Sequence, residues 1–205
     1  MPKLTLYHAA PSRSAMAHWL LEEIGELYEV HLLHLRRGEN REPAYLAVNP
    51  MGKVPALRHG DVVVTESAAI CLYLADAFPE AGVTVPVGDP RRGVFLKWLF
   101  FGPGVLEPAV TDQAFKRAEP PPRGTLGYGD FDTTLDVLAK ALAPGPYLLG
   151  GQFTAADVVI GGTLRWGMLF ELIPKRPEFV AYVDRLAARP ALQRAEARDK
   201  EMAAA

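Results

Sequence analysis

The chain has 205 residues, 49% of them from the AVILMFWYC set and 22% charged, proportions that exclude disorder and fibre. Lys plus Arg total 22 against 24 for Asp plus Glu, a formal charge of −2, which argues against sequence-independent nucleic-acid binding. One cysteine excludes a disulfide framework or a Cys-based zinc cluster, and no stretch has the form of a signal peptide or approaches the ~20 apolar residues of a membrane span, so a cytoplasmic protein is expected.

Lys3 to His8 is a short run with β-branched and aromatic residues and reads as a strand. Ser12 to Gly25 reads as a helix, with Ser12 as candidate N-cap, an apolar stripe at Met16, Trp19, Leu20 and Ile24, and Gly25 as its stop. Tyr28 to Leu35 is extended, and Arg36 to Ala47 is polar and loop-like with room for one helical turn. Val54 to Leu57 and Val62 to Thr65 are strands joined by His59-Gly60-Asp61, and Ser67 to Phe78 is a second helix. Strand–helix–strand alternation implies a parallel pair, and the hairpin adds an antiparallel edge.

Pro79 to Pro90 turns to Pro, Gly and Val and reads as a linker, beyond which no strand is expected. Arg91 to Arg117 is helical in pattern, but Phe101-Gly102-Pro103-Gly104 predicts a kink or break near Gly102. Glu119 to Gly129 is a loop; Phe131 to Leu142, Ala155 to Phe170 and Glu178 to Ala188 are helices, and the Ala-rich end is expected to fray.

Four constellations stand out. Val54-Pro55 enters a strand where proline cannot donate to a ladder; either a cis bond at a strand edge or an ordinary trans edge proline accounts for it. Glu66-Ser67 opens a helix whose free N–H groups and dipole suit a carboxylate or phosphate, or merely form a cap. Tyr7 to Ser14 is a strand-to-helix turn with three hydroxyls, Tyr7, Ser12 and Ser14, any of which can donate to an anion such as a thiolate. Thr154 and Asp157 have capping-box spacing, with Phe153 and Val158 placed for a hydrophobic staple, a folding device rather than a catalytic one.

Taken in order along the whole chain, these features resemble the cytosolic glutathione transferase superfamily. The resemblance rests on the Leu4–Tyr7 strand and Ser12 turn, Trp19-Leu20-Leu21-Glu22-Glu23, Asn49 to Leu57, Glu66-Ser67-Ala68-Ala69-Ile70 and the Phe153–Asp157 box. It implies an α/β thioredoxin-like N-terminal domain over residues 1–80, a linker over 81–89 and an all-helical C-terminal domain over 90–205. A two-fold homodimer is implied as well. Carried over by position, Pro55 looks like the family's cis proline, and Val54 would pair with the cysteinyl part of glutathione. Ser67 would take the γ-glutamyl carboxylate and Glu66 the amino group, with Lys53 and Arg13 as nearby cations. The catalytic hydroxyl is expected at Ser12, as in serine-type members, with Tyr7 and Ser14 as alternatives. Cys71 falls inside the second helix, so an enzyme thiol is not expected to take part, and a thioredoxin-type oxidoreductase would want two nearby cysteines.

The expected activity is conjugation of the glutathione thiolate to small apolar electrophiles, a detoxifying transferase reaction, with reduction of organic peroxides as a variant. Glutathione is the co-substrate and no metal is called for. The alternative is a glutathione-binding protein of the same fold with a regulatory or partner-docking role. Trp98, Phe100, Phe101, Phe115, Trp166 and Phe170 are candidates for an apolar pocket or, more simply, for core.

Overall fold

The computed structural model describes residues 3–119 and 121–204; Pro120 in the expected loop and Ala205 at the expected frayed end lie outside the described residues. In chain order the elements are β1 (Leu4–His8), α1 (Ser14–Ile24), β2 (Tyr28–Leu32), α2 (Pro43–Leu46), β3 (Ala56–His59), β4 (Val62–Thr65), α3 (Ser67–Ala77), α4 (Arg92–Phe101), α5 (Glu107–Ala114), α6 (Phe131–Leu142), α7 (Ala155–Leu169), α8 (Pro177–Ala187) and α9 (Pro190–Ala204). The chain divides into one unit of Met1–Ala81 with Arg189–Ala205 and a second of Gly82–Ala188.

In the first unit the strands form a mixed sheet in the order β2-β1-β3-β4. β1 pairs parallel with β2, as the intervening helix requires, and antiparallel with β3. A two-residue connection, Gly60-Asp61, joins β3 to β4, with Gly60 at φ 60°. Side chains alternate along β1: Leu4, Leu6 and His8 are buried, whereas Thr5 and Tyr7 face the other side and are half-buried. Leu20 and Leu21 of α1 and Ile70 and Leu74 of α3 complete the core beside Leu6 and Leu57, all fully buried. Gly25 ends α1 in the left-handed region at φ 78°, its N–H donating to the Leu21 carbonyl at 3.0 Å.

The second unit is helical, as expected, with only isolated bridges at Tyr147–Gly150 and Leu149–Gln152 among its described residues. α7 is its centre, buried from Ala155 through Leu164. Asp157 caps it: one carboxylate oxygen accepts from the Thr154 N–H at 2.8 Å, and the other accepts from the Leu148 N–H and the Tyr182 hydroxyl, both at 2.9 Å. At the expected kink, α4 passes into α5 through a π-helical turn over Gly102–Leu106. A Cβ on Gly102 would stand 2.5 Å from Val159 Cγ1, so the glycine lets α4 close on α7.

The expected domain boundaries differ from this arrangement in two places. The 81–89 segment does not run free: Val83 and Val85 are buried, the Val83 carbonyl accepts from the Ala155 N–H at 2.8 Å, and the Thr84 carbonyl accepts from Gln152 Nε2 at 3.0 Å. And α9, placed by the sequence with the helical domain, returns to the first unit. Its apolar stripe is short, Ala191, Leu192 and Ala195. Ion pairs supply the rest: Arg189 Nε lies 2.6 Å from Glu23 Oε1, Arg194 Nε 2.9 Å from Glu22 Oε2, and Arg198 Nη1 2.6 Å from Glu22 Oε1. The helix runs into the Ala-rich end, through Ala204.

Candidate active site

Strand register gathers the candidate residues. Tyr7 stands opposite Ala56, and Ala56 opposite Thr65. β1 therefore ends, β3 begins and β4 ends at the same side of the sheet. The Ala9–Arg13 turn, Val54-Pro55 and Glu66-Ser67 all emerge there, on three adjacent strands.

The Val54–Pro55 bond is cis, with Pro55 buried and Val54 half-buried. Among the described residues the Val54 backbone N–H and C=O have no hydrogen-bond partner. The approach to it is held firmly. The Lys53 carbonyl accepts from the Tyr45 hydroxyl at 2.6 Å and from Asn49 Nδ2 at 2.8 Å, while the Lys53 side chain is exposed. Gly52, at φ 61°, is packed so that an added Cβ would stand 2.8 Å from the Asn40 carbonyl oxygen.

Glu66 precedes α3 at φ 68°, ψ 121°, a conformation that side-chain-bearing residues rarely adopt. Its carbonyl accepts from the Ile70 N–H at 2.9 Å, but its side chain makes no capping bond and is exposed. The first N–H groups of α3, beginning with that of half-buried Ser67, thus face outward at the positive end of an 11-residue helix.

In the strand-to-helix turn the three hydroxyls separate. α1 begins at Ser14 rather than at Ser12, and Ser12 Oγ accepts from the Ser14 N–H at 3.1 Å. Ser12 is half-buried, whereas Ser14 is fully buried. Ser14 Oγ lies 2.6 Å from Ser12 Oγ, 2.8 Å from His8 Nδ1, and accepts from the Ala9 N–H at 3.1 Å. Tyr7 is on the opposite face of β1, where its hydroxyl accepts from Arg58 Nε at 3.3 Å and its ring packs against His31 and Tyr45. Arg13 is exposed at the helix start.

Behind Ser14, sequence reading missed a cluster. His18 Nδ1 lies 2.5 Å and His8 Nε2 3.2 Å from one oxygen of Asp199, and both histidine side chains are fully buried. His8 occupies a core-facing position of β1 and His18 a buried position of α1, a polar pair on apolar faces that could have raised the alarm. Asp199 carried no such signal, because its helix was not expected to return. Burial would raise the Asp199 carboxyl, but the hydrogen bond from His18 and the electrostatic attraction of His18 and His8 outweigh it and hold the group at about 2. Cys71 is wholly buried in α3, which pushes its thiol up to about 12 and leaves it a small apolar filler. Of the aromatic candidates, Trp98 is core, whereas Phe100, Phe115, Trp166 and Phe170 are exposed.

Two family models match the chain: the N-terminal domain of glutathione S-transferase over residues 2–76 and its C-terminal domain over residues 108–198. Glutathione S-transferase GstA of Escherichia coli O157:H7 is 31% identical over 195 residues, covering 93% of this chain and 96% of that protein. A solved glutathione transferase from Methylococcus capsulatus superposes with a TM-score of 0.80 at 32% identity, over 96% of this chain and 98% of the other. The Phanerochaete chrysosporium transferase URE2P6, crystallised with oxidised glutathione, gives a TM-score of 0.82 at 27% identity over 98% of each chain. With both domain models matched in order and relatives aligned nearly end to end, the chain belongs to the glutathione S-transferase family.

Proposed function

We propose that this transferase binds glutathione across the end of its sheet and joins the sulfur to small apolar electrophiles, with Ser12 as the hydroxyl that steadies the thiolate. The observation that carries the reading is the register: it brings an unpaired backbone edge, an open helix N-terminus and a half-buried hydroxyl to one side of three adjacent strands. The peptide backbone of glutathione pairs with Val54 as an added strand would. Its γ-glutamyl carboxylate takes the first N–H groups of α3 and the Ser67 hydroxyl, and its amino group is drawn to Glu66. Lys53 and Arg13 supply positive charge around a ligand of net negative charge. Ser12 donates to the sulfur at the start of α1, where the helix dipole also favours an anion. A thiolate formed this way needs no protein thiol, in keeping with the burial of Cys71. Tyr7 is set aside because it lies across the sheet, and Ser14 because it is enclosed.

The cytoplasmic setting and the two-fold homodimer implied by the resemblance belong to the same proposal. Calorimetry with reduced glutathione, combined with thiol consumption across halogenated aromatics, epoxides and organic peroxides, tests it. Saturable binding and turnover on at least one apolar electrophile are expected. Tight binding with no consumption would favour the regulatory alternative, and no binding would overturn the assignment of the site.

A further inference from the structure

Ser12 is the outer end of a continuous chain of polar groups that reaches the far end of the sequence. From the surface inward it runs Ser12 Oγ, Ser14 Oγ at 2.6 Å, His8 Nδ1 at 2.8 Å from Ser14, and Asp199 Oδ1 at 3.2 Å from His8 Nε2. Ser14 and His8 are both fully buried. Among the described residues His8 Nε2 has no hydrogen-bond partner of its own; the carboxylate is within reach but off-axis. A buried ring nitrogen whose nearest acceptor is an ionised carboxylate carries its proton toward that carboxylate. In the uncharged imidazole the one ring proton then sits on Nε2, and Nδ1 is free to accept.

Proton counting fixes the rest of the resting chain. Two acceptors face the single Ser14 proton, His8 Nδ1 at 2.8 Å and the Ala9 carbonyl at 3.2 Å; the shorter contact takes it, and Ser14 accepts from the Ala9 N–H. Its 2.6 Å neighbour must then donate to it, so the Ser12 proton points inward, and Ser12 already accepts from the Ser14 N–H. One lone pair of Ser12 is left, and it is an acceptor. A hydroxyl in this state cannot donate to a thiolate, but it can receive a thiol proton.

We propose that His8, Ser14 and Asp199 are positioning residues that act through Ser12 as a proton relay, withdrawing the proton of the bound thiol into the protein. The S–H bond breaks and its proton goes to Ser12 Oγ; the Ser12 proton passes to Ser14, and the Ser14 proton to His8 Nδ1. The products are a thiolate and an imidazolium, with no change in total charge. Every contact survives in reverse: His8 donates to Ser14, Ser14 to Ser12, and Ser12 now donates to the sulfur. The new positive charge sits against Asp199, whose carboxyl is ionised throughout the neutral range. The other groups around His8 come from α1, α9 and β2: His18, with its ring centroid at 5.0 Å, also held by Asp199, and Tyr28 beyond it, which donates to Glu22 and faces Arg198. The trio His8, His18 and Asp199 is a metal donor set by residue type alone. Here His18 and Asp199 are joined by a hydrogen bond.

The inference rests on the reading of Ser12 as the sulfur's partner, and wild-type protein tests the two separately. Reduced glutathione is added at neutral pH while thiolate absorbance and proton release are recorded, the latter from calorimetry in buffers of different ionisation enthalpy. A relay keeps the proton, so thiolate appears with fewer than ~0.3 protons released per site. Thiolate with about one proton released per site would overturn the relay and leave Ser12 standing as a simple donor. Saturation without thiolate would overturn the Ser12 reading itself. As a second arm, His8→Asn and Asp199→Asn are each expected to cut the thiolate-to-thiol ratio at neutral pH about ten-fold, one unit in the apparent thiol pKa. An unchanged thiol titration in either folded variant would sink the proposal, and should neither fold, the wild-type proton count still decides.

Discussion

Glu66 holds a side chain at φ 68°, where a Cβ crowds the backbone and glycine is the natural occupant. The exposed side chain makes no capping bond to recover that cost locally. A residue kept in such a place without a folding benefit is explained by what it meets from outside, here the amino group of the proposed ligand. Glu66→Gly is therefore expected to raise stability by about 1 kcal/mol in urea denaturation while raising the KM for glutathione several-fold. A loss of stability would show that the side chain is structural. Ser12 and Tyr7 make a second contrast at this scale. Removing one donor to a developing or stabilised anion commonly costs about 10²–10³ in turnover. Ser12→Ala should fall in that range with glutathione affinity nearly kept, whereas Tyr7→Phe, which removes a hydroxyl engaged by Arg58 across the sheet, should change turnover less than about ten-fold. Steady-state kinetics with one electrophile separates the two, and a larger loss in Tyr7→Phe would reverse the assignment.

Helix packing in the second unit turns on Gly102, whose missing Cβ lets α4 lie against α7. Gly102→Ala should cost about 1–3 kcal/mol of stability through overpacking. The added carbon meets the tip of Val159, so Val159→Ala in the same chain should recover part of that loss, more than the two single changes would sum to. Thermal melts of the four proteins would show it; simple additivity would place the strain elsewhere. The segments that carry this packing differ in how openly the sequence announced them. The strands, α1, α3 and the Thr154–Asp157 cap are written in local patterns of period, cap and stop, and the structure follows them within a few residues. Pro103 announced an interruption, but the close approach of Gly102 to Val159 on α7 lies far along the chain and is invisible to any local window. α9 was hidden for a related reason. Its stripe of Ala191, Leu192 and Ala195 is too slight to read as amphipathic, and the arginines that anchor it are meaningful only beside Glu22 and Glu23.

The return of α9 ties the last residues of the chain to the first strand, and the tie is where the buried half of the candidate site lies. Val54, Pro55, Glu66, Ser67 and Ser12 were legible because each sits at a strand end or helix start whose local grammar shows. His8, His18 and Asp199 were not, because a carboxylate 181 positions from its histidine is found only once the chain is folded. This long-range contact has a signature in acid. Folding lowers the Asp199 carboxyl from 3.8 to about 2, so the unfolded chain binds its proton more readily than the folded one. The contribution is whole above pH ~4 and is lost as pH falls through the folded value near 2. Discounted for the partial exposure of the carboxylate, it amounts to about 1–2 kcal/mol. Wild type should accordingly exceed Asp199→Asn in stability by that margin at pH ~6, and about half of the margin should be gone by pH ~3. Urea midpoints of both proteins across this range measure it. A gap that stays constant down to pH ~3 would mean that the carboxylate is not paired with the histidines in the folded chain, and the contact between the two ends of the sequence would have to be redrawn.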